Sequence, residues 1–370
     1  MKRAYDRLGM FAKTMALLSI GGSGRWQFAK GALCFAMMMV AVGCGNRHSF
    51  DAGTIAFGTE VKTESARAAV DSQSDLCEAC SSGGEAIGII GMVSDAQNPT
   101  PVDIFANDRL YFTGSEWTYD NPRYWVRGAQ HEFLAIYPHA EGTYTWDCAT
   151  GTLTYPDITL GTANNIDVMY AIAERNLATS TDTTSPVELE LNHAFALLEF
   201  WFVNASTNTV SSVSDITIEN LRYKGELTLS SDGTANLAVA DDRVAAQSKV
   251  YVGNLTNTNL PVNLSVCYNL FDNVGTVGSS EFDSAAQMTR KNGGAVLVMP
   301  QVIEGAGVEF ELRISGGNLS SFDLSQMSSV TEWKAGYKYI YTLTLTTSQI
   351  TFDVKVLNWI EDHVDLSQKD

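Results

Sequence analysis

The chain has 370 residues, with 24 Lys+Arg against 42 Asp+Glu and a formal net charge of −18. So acidic a surface repels a phosphate backbone, and no basic stripe with interleaved aromatics overrides the average, which excludes nucleic acid as a partner. Its six cysteines are too few and too scattered for a disulfide framework.

The first segment carries Lys2, Arg3, Arg7, Lys13, Arg25 and Lys30 ahead of an apolar run from Gly31 to Gly43. That run is 13 residues long, against the ~20 needed to cross a bilayer core, and it ends in small residues. It reads as the h-region of an export signal. With Cys44 directly behind it, the junction resembles a bacterial lipoprotein signal. The resemblance implies a cut after Gly43 and acylation of the Cys44 sulfur. Without residues 1–43 the chain keeps 327 residues, 18 of them basic and 41 acidic, for a net charge of −23. At ~150 residues per domain this length predicts two domains.

Residues 44–54 are expected to form a lipidated linker, and 62–85, rich in Ser, Gly, Glu and Ala, a mobile connector. Within the latter, Cys77-Glu-Ala-Cys80 has redox spacing but lacks the strand-to-helix context of a thioredoxin-like motif. A surface loop able to close a small bridge is expected there. Short β-rich runs follow at 87–93, 110–112, 133–137 and 166–172, separated by Gly, Asn, Pro and Asp clusters. Between them sit Trp117, Tyr119, Tyr124 and Trp125. Exposed, these would form a stacking platform for a sugar or a partner protein; buried, they would cap a sandwich edge, which is the expectation. Trp117 and Trp125 are the ligand-binding candidates. His131 and His139 are expected in loops.

The polar, Pro-terminated stretch 176–186 is the best linker, placing a domain boundary near Ser185. Beyond it, Val187, Leu189, Leu191 and Phe195 alternate, and the apolar phase slips at Leu197-Leu198, which predicts a β-bulge. His193 lies in that run and is read as a core histidine satisfied by backbone groups. Val308, Phe310, Leu312 and Ile314 form another strand. Tyr337 to Leu345 and Ile350 to Val356 alternate with period two around Thr347-Ser348-Gln349, the pattern of a β-hairpin. Nothing sustains a helical period over three turns, so the fold class is all-β, with a first sandwich over 55–184 and a second over 185–370. Nucleophile elbows, zinc-protease helices, phosphate loops and dinucleotide fingerprints are absent from the sequence, and no Cys or His pair completes a metal set. A non-enzymatic protein without cofactor or metal is expected.

Several segments together resemble the fimbrillin family of Bacteroidetes surface lipoproteins, whose members include type V pilus subunits. They are Ile55-Ala-Phe57, Tyr111-Phe-Thr-Gly-Ser-Glu-Trp117-Thr-Tyr119, Tyr124-Trp125 and Phe133-Leu-Ala-Ile-Tyr137-Pro138. Further along come Ile166-Asp-Val-Met-Tyr170-Ala171, Leu191-Asn-His193-Ala-Phe-Ala-Leu197, Val298-Met-Pro-Gln301, Trp333-Lys-Ala-Gly-Tyr-Lys-Tyr339 and Val354-Lys-Val-Leu-Asn-Trp359. The resemblance implies two transthyretin-like β-sandwich domains, exported as an outer-membrane lipoprotein. It also implies proteolysis after an arginine near the N-terminus, which releases the first strand and opens a groove for a strand of another fimbrial subunit. Arg67 is the candidate cleavage residue, and Ile55, Ala56, Phe57 and Gly58 the candidate removable strand. The alternative is a non-polymerising surface lipoprotein that captures a glycan or host protein through Trp117 and Trp125.

Overall fold

The computed structural model describes residues 50–61, 73–81, 83–139, 144–160, 167–240, 250–255, 266–270, 281–283, 288–291, 295–327 and 329–358. Gly43, Cys44 and Arg67, the expected processing and lipidation positions, lie outside these residues.

The fold is all-β. The chain begins with β1 (Phe50–Thr54), β2 (Phe57–Val61) and a short helix α1 (Gln73–Ala79). There follow β3 (Ile87–Ser94), β4 (Val102–Phe112), β5 (Trp117–Tyr119), β6 (Tyr124–Val126) and β7 (Gln130–Tyr137). Then come β8 (Thr145–Asp147), β9 (Thr152–Thr159), β10 (Met169–Asn176) and β11 (Val187–His193). Seven of these form one sheet in the order β2-β11-β10-β7-β3-β4-β5. Along β11, Val187, Leu189 and Leu191 are buried while Glu188 and Glu190 are exposed, the period-two signature of a strand with one face on a core. That core gathers Ile87, Ile89, Phe105, Leu110, Phe133 and Trp125.

Helix α1 corrects the expected connector over its second half. Leu76 and Cys80 are fully buried in the same core, so the Cys-x-x-Cys stretch is a short capping helix and not a surface loop. Seven residues are two turns, too few to leave a helical period in the sequence.

The chain continues through β12 (Ala196–Asn204), β13 (Val213–Glu219), β14 (Lys224–Ser230), β15 (Ala235–Val239), β16 (Val250–Leu255) and β17 (Val266–Asn269). Next are β18 (Glu281–Asp283), β19 (Met288–Lys291), β20 (Val296–Val298), β21 (Gln301–Val302), β22 (Glu309–Ile314) and β23 (Leu319–Asp323). Helix α2 (Leu324–Met327), β24 (Glu332–Trp333), β25 (Tyr337–Leu345) and β26 (Ile350–Asn358) complete it. The second seven-stranded sheet runs β18-β19-β17-β12-β25-β26, with β20 also on β12. It faces the sheet β16-β13-β22-β23 across a core that includes Phe202, Ile216, Leu312 and Trp333. In that core Phe200 stacks on Phe310 (centroids 4.3 Å, planes 3° apart) and on Tyr341 (4.8 Å, 9°). A further sheet, β15-β14-β9-β8, joins strands from both halves of the sequence. Its Leu153, Leu227 and Leu229 pack with Ile90, Leu134, Phe195 and Leu297.

Two sequence expectations change here. The slip at Leu197-Leu198 is not a bulge: β11 ends at His193 in the first sheet, and β12 starts at Ala196 in the second. Every residue of β12 is buried, on both faces, so its apolar run cannot alternate. The stretch 176–186 is a loop between two strands of one sheet, since β10 and β11 pair antiparallel. Arg175 closes it by donating to the carbonyls of Ser185 (2.7 Å) and Pro186 (2.8 Å). The change of sheet thus falls at Ala194-Phe195, beyond the boundary expected near Ser185. By contrast, the terminal hairpin forms as read, with Tyr337↔Asn358 through Leu345↔Ile350 in register.

Candidate strand-binding groove

The exposed edge of β11 is where the first residues of the described chain dock. β2 lies parallel to it in the register Val187↔Phe57 through Leu191↔Val61, and the Val187 amide donates to the Ala56 carbonyl at 2.7 Å. β2 is the outermost strand of the sheet, and the other strands of that sheet all lie between it and its partner β11 in the sequence. Its side chains alternate accordingly. Ile55 and Phe57 are buried, at 1% and 5% exposure, whereas Ala56 is exposed.

Phe57 enters a slot with three aromatic walls. Its ring meets Phe105 (5.5 Å between centroids, 69°), Phe133 (5.5 Å, 88°) and Tyr119 (5.8 Å, 70°), all edge-to-face. Such pairs each add ~0.5–1.5 kcal/mol beyond burial, so the slot discriminates for a ring over an aliphatic side chain. Gly91 on β3 makes the space: a Cβ there would stand 2.8 Å from a Phe105 ring carbon and 3.1 Å from one of Phe133. Ahead of Ile55, β1 pairs antiparallel with β6, Phe50 opposite Val126 and Thr54 opposite Tyr124. The N-terminal segment is therefore gripped twice, by β11 on one side and by the β5–β6 arm on the other. Of the four residues proposed from sequence as a removable strand, Ile55 and Ala56 lead into β2, and Phe57 and Gly58 open it.

The candidate ligand aromatics have a different fate. Trp125 is fully buried, edge-on to His131 at 4.9 Å and Phe133 at 6.1 Å, with the Arg175 guanidinium 4.8 Å over its ring. It is a core residue and offers no face to a sugar. Trp117 is half-buried against Phe112. A cleft of about 670 Å³, lined in part by Glu132, Tyr170, Glu174, Asn192 and Asp232, contains neither tryptophan.

His131 and His193 are structural. His131 is buried on β7, not in a loop, and its Nε2 accepts from the Val126 amide at 3.2 Å. Burial lowers its pKa to about 4. His193 is buried as expected, but its Nδ1 partner is the Asp167 carboxylate at 2.8 Å, not a backbone group. Burial first, then the Glu85 carboxylate, pushes the Cys80 thiol up to about 12, the reverse of what thiol exchange needs. Among the described residues no group of three or more His, Cys, Asp or Glu is placed to hold a metal ion.

A family model described as fimbrillin-like matches residues 67–359. Among solved structures, a cell-adhesion candidate of Bacteroides uniformis is 16% identical, with a TM-score of 0.48, covering 83% of this chain and 98% of that one. A fimbrial protein of Bacteroides vulgatus is 14% identical, with a TM-score of 0.47, covering 83% and 99%. A fimbrial assembly protein of Parabacteroides distasonis is 11% identical, with a TM-score of 0.31, covering 73% and 90%. No curated protein matches.

Proposed function

The chain belongs to the fimbrillin-like family, and on that footing we propose that it is a structural or adhesive subunit of a cell-surface fimbrium, assembled by strand exchange. The observation that carries this reading is the edge-docked N-terminal segment, which fills an apolar groove as the outermost, parallel strand of its sheet. Taken away, it would leave the β11 edge unpaired and the three-walled slot empty, a surface that another extended segment can satisfy through main-chain bonds and alternate side chains.

In this reading Cys44 is acylated after cleavage behind Gly43 and delivers the subunit to the outer membrane. Cleavage after Arg67 then discards residues 44–67, including β1 and β2. A supporting pattern sits at the other end of the chain. Residues 55–61 read Ile-Ala-Phe-Gly-Thr-Glu-Val and residues 350–356 read Ile-Thr-Phe-Asp-Val-Lys-Val. Both place Ile, Phe and Val at the first, third and seventh positions. The edge strand β26 of one copy thereby carries the side-chain code of the segment that another copy would lose. The two sandwiches of this reading meet where the chain changes sheet, at Ala194-Phe195. The partners are other fimbrial subunits; no cofactor enters.

N-terminal sequencing of the subunit from assembled fibres tests the processing step. A mature start at Ala68 is expected, and an acylated start at Cys44 would contradict cleavage.

A further inference from the structure

Both main-chain groups of Ile55 are held by a single arm made of β5, β6 and the turn between them. The Ile55 amide donates to the Arg123 carbonyl at 2.9 Å, and the Ile55 carbonyl accepts from the Tyr119 hydroxyl at 2.6 Å. Two residues on, the Phe57 ring touches the Tyr119 ring. Tyr119 thus reads two features of the docked segment at once: the carbonyl of one residue and the aromatic ring of the next residue on the same face.

The arm is itself fastened to β4. Arg123 Nε donates to the Ile104 carbonyl at 2.7 Å, and Nη2 meets the Asp108 carboxylate at 2.9 Å. The guanidinium lies 5.6 Å over Phe105, one wall of the slot. Main-chain bonds alone cannot fix register, because every residue offers the same groups. Side-chain contact with the slot alone does not fix the carbonyl. Coupled through Tyr119, the two do. A slip of one residue turns the ring to the opposite face, and a slip of two carries it out of the slot.

We propose that Tyr119 is the register-determining residue of the groove and that the Arg123–Asp108 pair is the latch that holds it in place. The groove then admits an extended segment that presents an aromatic ring two residues after the carbonyl bound by Tyr119. Its intermolecular occupant is a second copy of this chain through Ile350-Thr351-Phe352, and in that respect the proposal rests on the strand-exchange reading.

Backbone hydrogen exchange on the full chain tests it. Tyr119→Phe removes only the hydroxyl, and Asp108→Asn removes the ion pair between the arm and β4 without touching the docked segment. Each should speed exchange of the 55–61 amides about five- to ten-fold, the effect of one lost hydrogen bond, and leave β7 and β10 at wild-type rates. Phe57→Leu should act on the same amides, and its combination with Tyr119→Phe should fall short of the product of the two effects, because both report one coupled contact. Unchanged exchange, an equal acceleration in β7 and β10, or multiplicative effects would overturn the register role. Multimer formation by the same proteins after complete cleavage behind Arg67 separates the two claims: fast exchange in the uncleaved Tyr119→Phe chain, with no multimers from any cleaved variant or the cleaved wild type, supports the register role and overturns strand exchange.

Discussion

His131 shows how one buried side chain sets a pH response. Its Nε2 accepts from Val126 on the strand that holds β1, and an imidazolium cannot accept. With its pKa lowered from 6.5 to about 4 by burial, the folded state binds fewer protons than the unfolded state between those values. Its contribution is therefore complete above pH ~6.5, falls away as the pH drops toward 4, and changes no further below that. The shift corresponds to on the order of 3 kcal/mol. Urea unfolding of the wild type and of His131→Gln at pH 7 and pH 4 should show a smaller pH loss in the variant; parallel losses would count against this assignment. A second residue-scale prediction concerns the pair Lys338 Nζ–Glu199 Oε1 at 2.8 Å, with side chains 8% and 7% exposed. Trp201 Nε1 donates to the other Glu199 oxygen at 2.8 Å. Lys338→Met leaves the carboxylate buried without its cation and should cost about 3–5 kcal/mol. Adding Glu199→Gln should recover much of that loss, as measured by a double-mutant cycle in denaturant.

At the scale of elements, what was legible in the sequence depended on whether polar residues alternate with apolar ones along a strand, as they do over most of β25 even though Lys338 and Ile340 are buried. The hairpin of β25 and β26 could be read because Thr and charged residues alternate with apolar ones across it. β12 could not, since burial on both faces erases the alternation, and its neighbour's change of sheet looked like a bulge. The loop 176–186 has a linker's composition, yet Arg175 ties it back onto its own sheet. In the groove, Ile55 and Phe57 were legible through a family resemblance. Tyr119 and Arg123 as the holders of Ile55 were not, because those contacts join residues 64 apart in the case of Tyr119 and leave no local pattern. Gly91 was equally silent, and it yields a prediction. An added methyl presses on Phe105 and Phe133, so Gly91→Ala should cost about 1–3 kcal/mol by overpacking. It should also speed hydrogen exchange over 57–61; a variant with wild-type stability and exchange would show that the slot tolerates the shift.

For the whole molecule, the strand that fills the first sheet's edge comes from the chain's beginning, and the strand with the same side-chain code forms the second sheet's edge at its end. β26 is paired along its full length with β25, so donation to another copy exchanges one set of main-chain bonds for another. A polymer held this way should resist detergent, since dissociation would expose a full strand edge and the aromatic slot together. The most direct measurement is an unheated denaturing gel of the purified chain before and after digestion with an arginine-specific protease. A ladder of multimers should appear on digestion, start at Ala68 in every rung, and be lost when residues 350–358 are deleted from a chain that still shows its first-sheet hydrogen-exchange protection. Monomer alone after complete cleavage at Arg67 would contradict strand exchange.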